Sequence, residues 1–436
     1  MKRFAMFLLC AALICFSTAA FAQDDSQLPD PSTLPTFDPN ATSHSIQDLN
    51  SVGAGIVVTA KNASANGTGI PIWSYQVTSP VDGGTYTGIM VGRSPFARGA
   101  RTTAVPTVII PVIVEAQQGF IMNPASADGG CLGGSNTALS LTQGSPIMQN
   151  SNWIIGGQNI GSTQYVDADQ RASFWLLPAV GGTGLWHTLL GPVTVAPTQT
   201  IVAPGVTPGP AVPNVSEIVA FGVATCGNIT TGATNRKNIL NVMDINFWDP
   251  FAEQTLANLH VPATSFALFV FYDTVMTGGP PLVLDPPTPQ NPNPSPHLNP
   301  QCCILGYHSD NSDTSPNLIT TYGNAEFDRG GIFGGTKDTS VMAHEVSEWM
   351  DDPLGNNPTP LWGHVGQVGG CQGNLETGDP LSGTLMPPVV MPNGFTYHLQ
   401  ELAFFSWFFR QSPSLGVNNM YSTNGTFATG AGPVCH

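Results

Sequence analysis

The chain has 436 residues, only 9% of them charged, and a formal net charge of −16. An acidic surface repels phosphate backbones and anionic lipid headgroups, which sets aside nucleic acid and charged membranes as partners. Few charges with 48 Gly and 39 Pro suit a loop-rich extracellular protein, long enough for a sizeable core.

Residues 1–22 read as a secretory signal peptide: Lys2 and Arg3, an apolar run from Phe4 to Cys15, and Ala20-Phe21-Ala22 as a small-x-small cleavage site. The mature chain then has 414 residues and a net charge of −18, secreted or periplasmic, with no membrane span. Residues 23–50, rich in Asp, Ser, Pro and Thr, read as a flexible lead-in or propeptide. A β-rich region follows over 51–235, with strands at "GIVVTA", "IPIWSYQVTSP", "GTYTGIMVG" and the β-branched run "VPTVIIPVIVEA". "STQYVDADQRASFWLL" places Tyr165, Ala168, Ala172 and Trp175 on one helical face, with Asp167 and Arg171 spaced to pair. "APTQTIVAPGVTPGPAVPNVS" reads as a Pro-rich connection.

Residues 236–436 are more regular. Asp249-Pro250 opens a helix in "FWDPFAEQTLANLH". "SFALFVFYDTVM" is a strand, a long Pro-rich loop follows, and "CCILGYHS" and "LITTYGNAEF" are two further strands. The helix "SVMAHEVSEWM" is capped by Asp338 or Thr339 and ended by Pro353 and Gly355. "VVMPNGFTY" is a hairpin turning at Asn393-Gly394, and "LQELAFFSWFFRQ" an apolar helix. The fold class expected is α+β.

Six cysteines lie outside the leader and allow up to three disulfides. The neighbours Cys302 and Cys303 are expected to bond to separate partners.

The chemistry lies in His344-Glu345-Val346-Ser347-Glu348. At 3.6 residues per helical turn, His344 and Glu348 share a face and can grip one cation. Glu345 lies beside them, placed to take a proton from a metal-held water. An ordinary surface helix with solvated carboxylates would carry the same residues. A third ligand has to come from elsewhere: Glu376 first, then Asp379, then His364, while Asp351 and Asp352 lie two turns on. His308, with Asp310 and Asp313, reads foremost as a polar turn; its alternative is a cleft residue or a second cation site such as calcium. No phosphate loop and no Gly-x-Ser-x-Gly elbow is present.

The order helix, strand "SFALFVFYDTVM", strand "CCILGYHS", strand "LITTYGNAEF", helix "SVMAHEVSEWM" resembles the catalytic half of zincin metallopeptidases. "LETGDP" downstream resembles the gluzincin branch. "HEVSEWMDDP", "LETGDP" and "YHLQELAFFSW" together are similar to a group of secreted bacterial proteins with a His-Glu-x-x-Glu helix, held to be peptidases. The resemblance covers about residues 240–410. It implies a twisted sheet behind the helix and a substrate-binding edge strand. The site it implies is Zn²⁺ on His344, Glu348 and Glu376, with Glu345 as general base on a protein or peptide substrate. Glu348 replaces the histidine of gluzincins, and Glu376 and Asp379 stand three apart instead of four. Two carboxylates with one imidazole make bound water less acidic and favour harder cations. The rival reading is a non-catalytic secreted binding or cell-surface protein, its cluster a structural metal site or a relic.

Overall fold

The computed structural model describes residues 68–95, 101–177, 186–204, 216–223, 239–430 apart from 313, 316 and 331, and residue 435. The leader, the 23–50 lead-in, the strand expected at "GIVVTA", Asp313 and Cys226 lie outside the described residues.

Ile72–Thr78 (β1) and Thr85–Val91 (β2) pair as an antiparallel hairpin. Arg101–Glu115 (β3) contains the expected β-branched run, and Ile121–Met122 (β4) folds back on its end. A short helix, Ala138–Gln143 (α1), precedes the hairpin Ser151–Ile155 (β5) and Gln158–Thr163 (β6). Tyr165–Ser173 (α2) stops before Trp175. Its Asp167 and Arg171 both reach His187, at 2.8 and 2.9 Å.

Trp186–Val195 (β7) and Gln199–Val202 (β8) both run parallel to β3. The second corrects the reading of a plain Pro-rich connection: Thr200, Ile201 and Val202 pair with the end of β3. Ile218–Gly222 (β9) and Ile239–Asp244 (β10) lead to Ile245–Asn258 (α3). This helix starts earlier than Asp249-Pro250, because Asp244 accepts the Asn246 amide at 2.8 Å and caps it, leaving Pro250 inside. Asp249 instead accepts the hydroxyls of Tyr307 and Tyr322.

"SFALFVFYDTVM" forms two strands, Phe266–Tyr272 (β11) and Thr274–Thr277 (β12), broken at Asp273, whose φ is 41°. Leu282–Val283 (β13) and His297–Leu298 (β14) pair within the Pro-rich loop. "CCILGYHS" likewise divides into Cys302–Ile304 (β15) and Gly306–Asp310 (β16), because the two halves join different sheets. Thr321–Phe327 (β17) precedes the helix Ser340–Asp351 (α4). A hairpin, Pro358–Val365 (β18) with Val368–Asn374 (β19), occupies a Gly/Asn-rich stretch that gave no strand signal. Val389–Val390 (β20) and Thr396–Tyr397 (β21) flank the expected turn, with Gly394 at φ 81°.

The expected helix over Leu399–Gln411 is reduced to Phe405–Phe408 (α5). Upstream of it the backbone bonds to other segments: Glu401 N donates to Thr384 O, Ala403 N to Thr377 O and Phe404 N to Tyr421 O. Those amides are spent on tertiary pairing and cannot close helical turns.

The main sheet has seven strands in the order β16-β17-β11-β3-β4, with β7 and β8 along the other side of β3. β17, β11, β3, β7 and β8 run parallel, while β16 is an antiparallel edge. β3, from the 51–235 region, pairs directly with β11, from the 236–436 region, so both regions share this sheet. A second sheet has the order β15-β12-β10-β9. All seven residues of β11 are buried, as expected of a strand covered on both faces. On one face Phe266 stacks on Trp349 of α4, with centroids 4.0 Å apart. On the other, Phe269 and Phe271 meet Trp248 of α3 edge-on. The chain is thus α+β, strand-rich and with few helices.

Cys302 and Cys303 bond to each other, correcting the expectation of separate partners: their Cα atoms lie 3.0 Å apart across a cis peptide, and the sulfurs meet. Cys371 bonds to Cys435. No helix among the described residues is long and apolar enough to cross a membrane.

Candidate metal centre

α4 is buried along its whole length. Trp349 Nε1 donates to Thr321 Oγ1 at 2.9 Å and pins the helix across the sheet. This turns His344, Glu345 and Glu348 toward β16 and the segment after β19. Of the two expected caps, Thr339 is the N-cap residue, without a side-chain cap bond, and Asp338 before it accepts the Thr339 amide and holds His398 through Nδ1 at 2.6 Å. The helix end is fixed by Asp352, whose carboxylate accepts the amides of Asn356 and Asn357. Asp351 binds Gln170 at 2.8 Å. Both late aspartates are therefore committed to structural bonds.

His344 Nδ1 lies 3.2 Å from Gln400 Oε1, while Gln400 Nε2 donates to Gly378 O at 2.7 Å. The second bond orients the amide so that its oxygen accepts the His344 Nδ1 proton. The lone pair of His344 Nε2 then faces Glu348 Oε1 at 3.0 Å and Asp379 Oδ1 at 3.4 Å. Glu348 Oε1 also accepts the amides of Gly378 and Asp379, at 2.9 and 3.2 Å. Asp379 in turn is held by the amides of Gln367 and Gln372.

His308 enters from the edge strand β16. Its Nε2 lies 3.0 Å from the carbonyl of Asp352, so that nitrogen carries the proton. Nδ1 makes no hydrogen bond among the described residues and faces Glu348 Oε2 at 3.7 Å and Glu345 Oε2 at 3.9 Å. Glu376 Oε2 lies 3.9 Å from the ring. Two groups of three thus form with ligand atoms within 4.8 Å: His344, Glu345 and Glu348, and His308, Glu348 and Glu376.

A lone pair pointed at carboxylate oxygens is repulsive unless something positive lies between. In a metal-free chain that is a proton. Burial pulls the His344 imidazole down, but Glu348, Glu345 and Asp379 outweigh it and hold it well above its ordinary value. Burial pushes Glu345 up to about 8 and Glu348 up to about 7, each opposed by His344. In a loaded chain the positive group is a metal ion. Tetrahedral ligands about 2.1 Å from zinc stand about 3.4 Å from one another; the His344–Asp379 contact of 3.4 Å matches that spacing and the His344–Glu348 contact of 3.0 Å is shorter. The donor set fits a divalent cation.

Of the residues expected from sequence, His344, Glu345, Glu348, Glu376 and Asp379 come together here. Glu376 groups with His308 and Glu348, and Asp379 contacts His344. His364 is exposed and lies 3.9 Å from Cys371, whose sulfur is bonded to Cys435. Asp310 Oδ1 accepts the Ser312 amide. Gln400 escaped sequence reasoning because its segment resembled a helix. Comparison with protein-family models, curated proteins and solved structures finds no match to this chain.

Proposed function

We propose that this chain is a secreted, metal-dependent hydrolase of peptide bonds with a zincin-like catalytic region. The observation that carries the reading is the pair of imidazole lone pairs held facing carboxylates by fixed outer hydrogen bonds. Such outer-shell bonds are the usual mark of metal-ligating histidines. The antiparallel edge strand β16 beside α4, and the parallel strands behind it, also support the zincin-like assignment.

His344 and Glu348 would hold Zn²⁺, with Asp379 on the His344 side and Glu376 beyond Glu348. When bound, zinc supplies Lewis acidity and a water acidic enough to attack a carbonyl. The carboxylate share of the set also suits harder ions, Mn²⁺ or Ca²⁺. Glu345 is the general base. Its carboxyl is too basic to be fully ionised at neutral pH in the metal-free chain, and a neighbouring positive charge lowers it into working range. It then takes a proton from water and passes it to the leaving amine. Gln400 and Asp352 O keep the two imidazoles in the required tautomers.

Glu345→Gln tests this. With a broad peptide library, the wild type is expected to cleave in a chelator-sensitive manner. The variant should lose at least about a hundredfold in rate while keeping its metal content. Unchanged turnover in the variant would reject the role.

One observation favours a second reading, a structural metal site in a non-catalytic secreted binding protein. His344, Glu345 and Glu348 are only 6, 5 and 3% exposed, which restricts substrate approach. Bound metal without cleavage would select it.

A further inference from the structure

The two oxygens of Glu348 serve different imidazoles. Oε1 faces His344 Nε2 at 3.0 Å, and Oε2 faces His308 Nδ1 at 3.7 Å. We infer that Glu348 bridges two divalent cations, one on the His344 side with Asp379 and one on the His308 side with Glu376. The inference rests on the metal-centre reading above and extends it.

Three observations support it. First, the fully buried residues that could hold a metal divide, among the described residues, into two groups that share only Glu348. A single ion at His344 would leave His308 and Glu376 outside its coordination. Second, His308 has a side chain only 5% exposed, and Nδ1 is aimed into the carboxylates without a hydrogen bond among the described residues. Its tautomer is fixed by Asp352 O, which rules out Nδ1–H in the neutral ring. Third, charge balances. Glu345, Glu348, Glu376 and Asp379 place four carboxyl groups in one buried space, and their fully ionised form would be neutralised by two divalent ions and not by one. Uncompensated carboxylates in such surroundings are costly. A carboxylate that bridges through both oxygens suits paired ions about 3.5–4 Å apart.

The test is metal stoichiometry on the purified chain. Protein stripped by chelator, reloaded with Zn²⁺ and desalted should retain two equivalents by mass spectrometry of the metal. His308→Ala should retain one and Glu348→Gln none. Loaded with two equivalents of Mn²⁺, the wild type should replace the six-line resonance of isolated Mn²⁺ with an exchange-coupled spectrum. That readout needs no variant to fold. One equivalent in the wild type, or an uncoupled Mn²⁺ spectrum, would overturn the bridged pair and leave the peptidase reading standing. Two equivalents retained by His308→Ala would overturn His308 as the second ligand. No retained metal would overturn the metal-centre reading itself.

Discussion

Gly378 is pressed against the imidazole of His344: a Cβ built on it falls 2.4 Å from Cγ of the ring. Its amide simultaneously donates to Glu348 Oε1 at 2.9 Å and its carbonyl accepts from Gln400 at 2.7 Å. One glycine therefore sets the spacing among the helix histidine, the helix glutamate and the residue that orients the histidine. Gly378→Ala is expected to push the ring off its position and cut metal affinity at least about tenfold, as loss of outer support does elsewhere. Isothermal titration of stripped protein with Zn²⁺ measures it. Wild-type affinity in a folded alanine variant would show that the ring position is not critical.

Trp349 is the main anchor between α4 and the sheet, stacked on Phe266 and bonded to Thr321 Oγ1. It is fully buried. Trp349→Ala removes the stack, the bond and a large side-chain volume, and should cost about 3–5 kcal/mol of stability. Urea unfolding of stripped protein gives the value. A loss under about 1 kcal/mol would mean that the helix is held mainly elsewhere.

Legibility divides along a physical line. Continuous apolar runs such as Phe266–Tyr272, and the helical spacing of His344 with Glu348, are local patterns, so their strands and shared face could be read from sequence. Pairing choices are tertiary and could not. Nothing local tells Cys302–Ile304 to join one sheet and Gly306–Asp310 another, or draws the amides of Glu401 and Ala403 away from a helix. His308 shows the same limit. Its neighbours Asp310 and Asp313 suggested a polar turn, but its position opposite Gly323 in β16–β17 carries it to the helix. Gln400 belongs to the site only through tertiary contacts, with His344 and with the Gly378 carbonyl, which no local pattern announces.

Asp169 of α2 lies fully buried against α4, accepting from Thr423 Oγ1 at 2.6 Å and Ser347 Oγ at 3.4 Å. Burial pushes its carboxyl up to about 7, against which those two bonds pull only partly. The folded value exceeds the unfolded one, so protonation favours the fold. Its stabilising effect is full below about pH 4 and is lost as pH rises to about 7. Asp169→Asn should flatten the dependence of stability on pH between those limits by an amount on the order of a few kcal/mol. Urea midpoints of stripped wild type and variant across pH 4–8 decide it. Parallel curves would assign the pH dependence to other carboxyls.

Gln400 touches no reacting atom in the proposed mechanism and acts through His344. Its oxygen accepts the Nδ1 proton while its amide is held by Gly378 O. Replacing it by Leu keeps the volume but removes the acceptor, so the neutral ring can place its proton on Nε2, the nitrogen needed for the cation. Metal affinity should fall about 10–100-fold. The loss should shrink at a Glu replacement, which restores an oxygen facing Nδ1. A merely structural role predicts the opposite order, because an additional buried carboxylate beside Glu345, Glu348 and Asp379 would destabilise the fold more than Leu does. Zn²⁺ titration and urea unfolding of both variants separate the accounts. Tighter Zn²⁺ binding by the Glu variant despite lower fold stability would mark Gln400 as the group that sets the histidine tautomer.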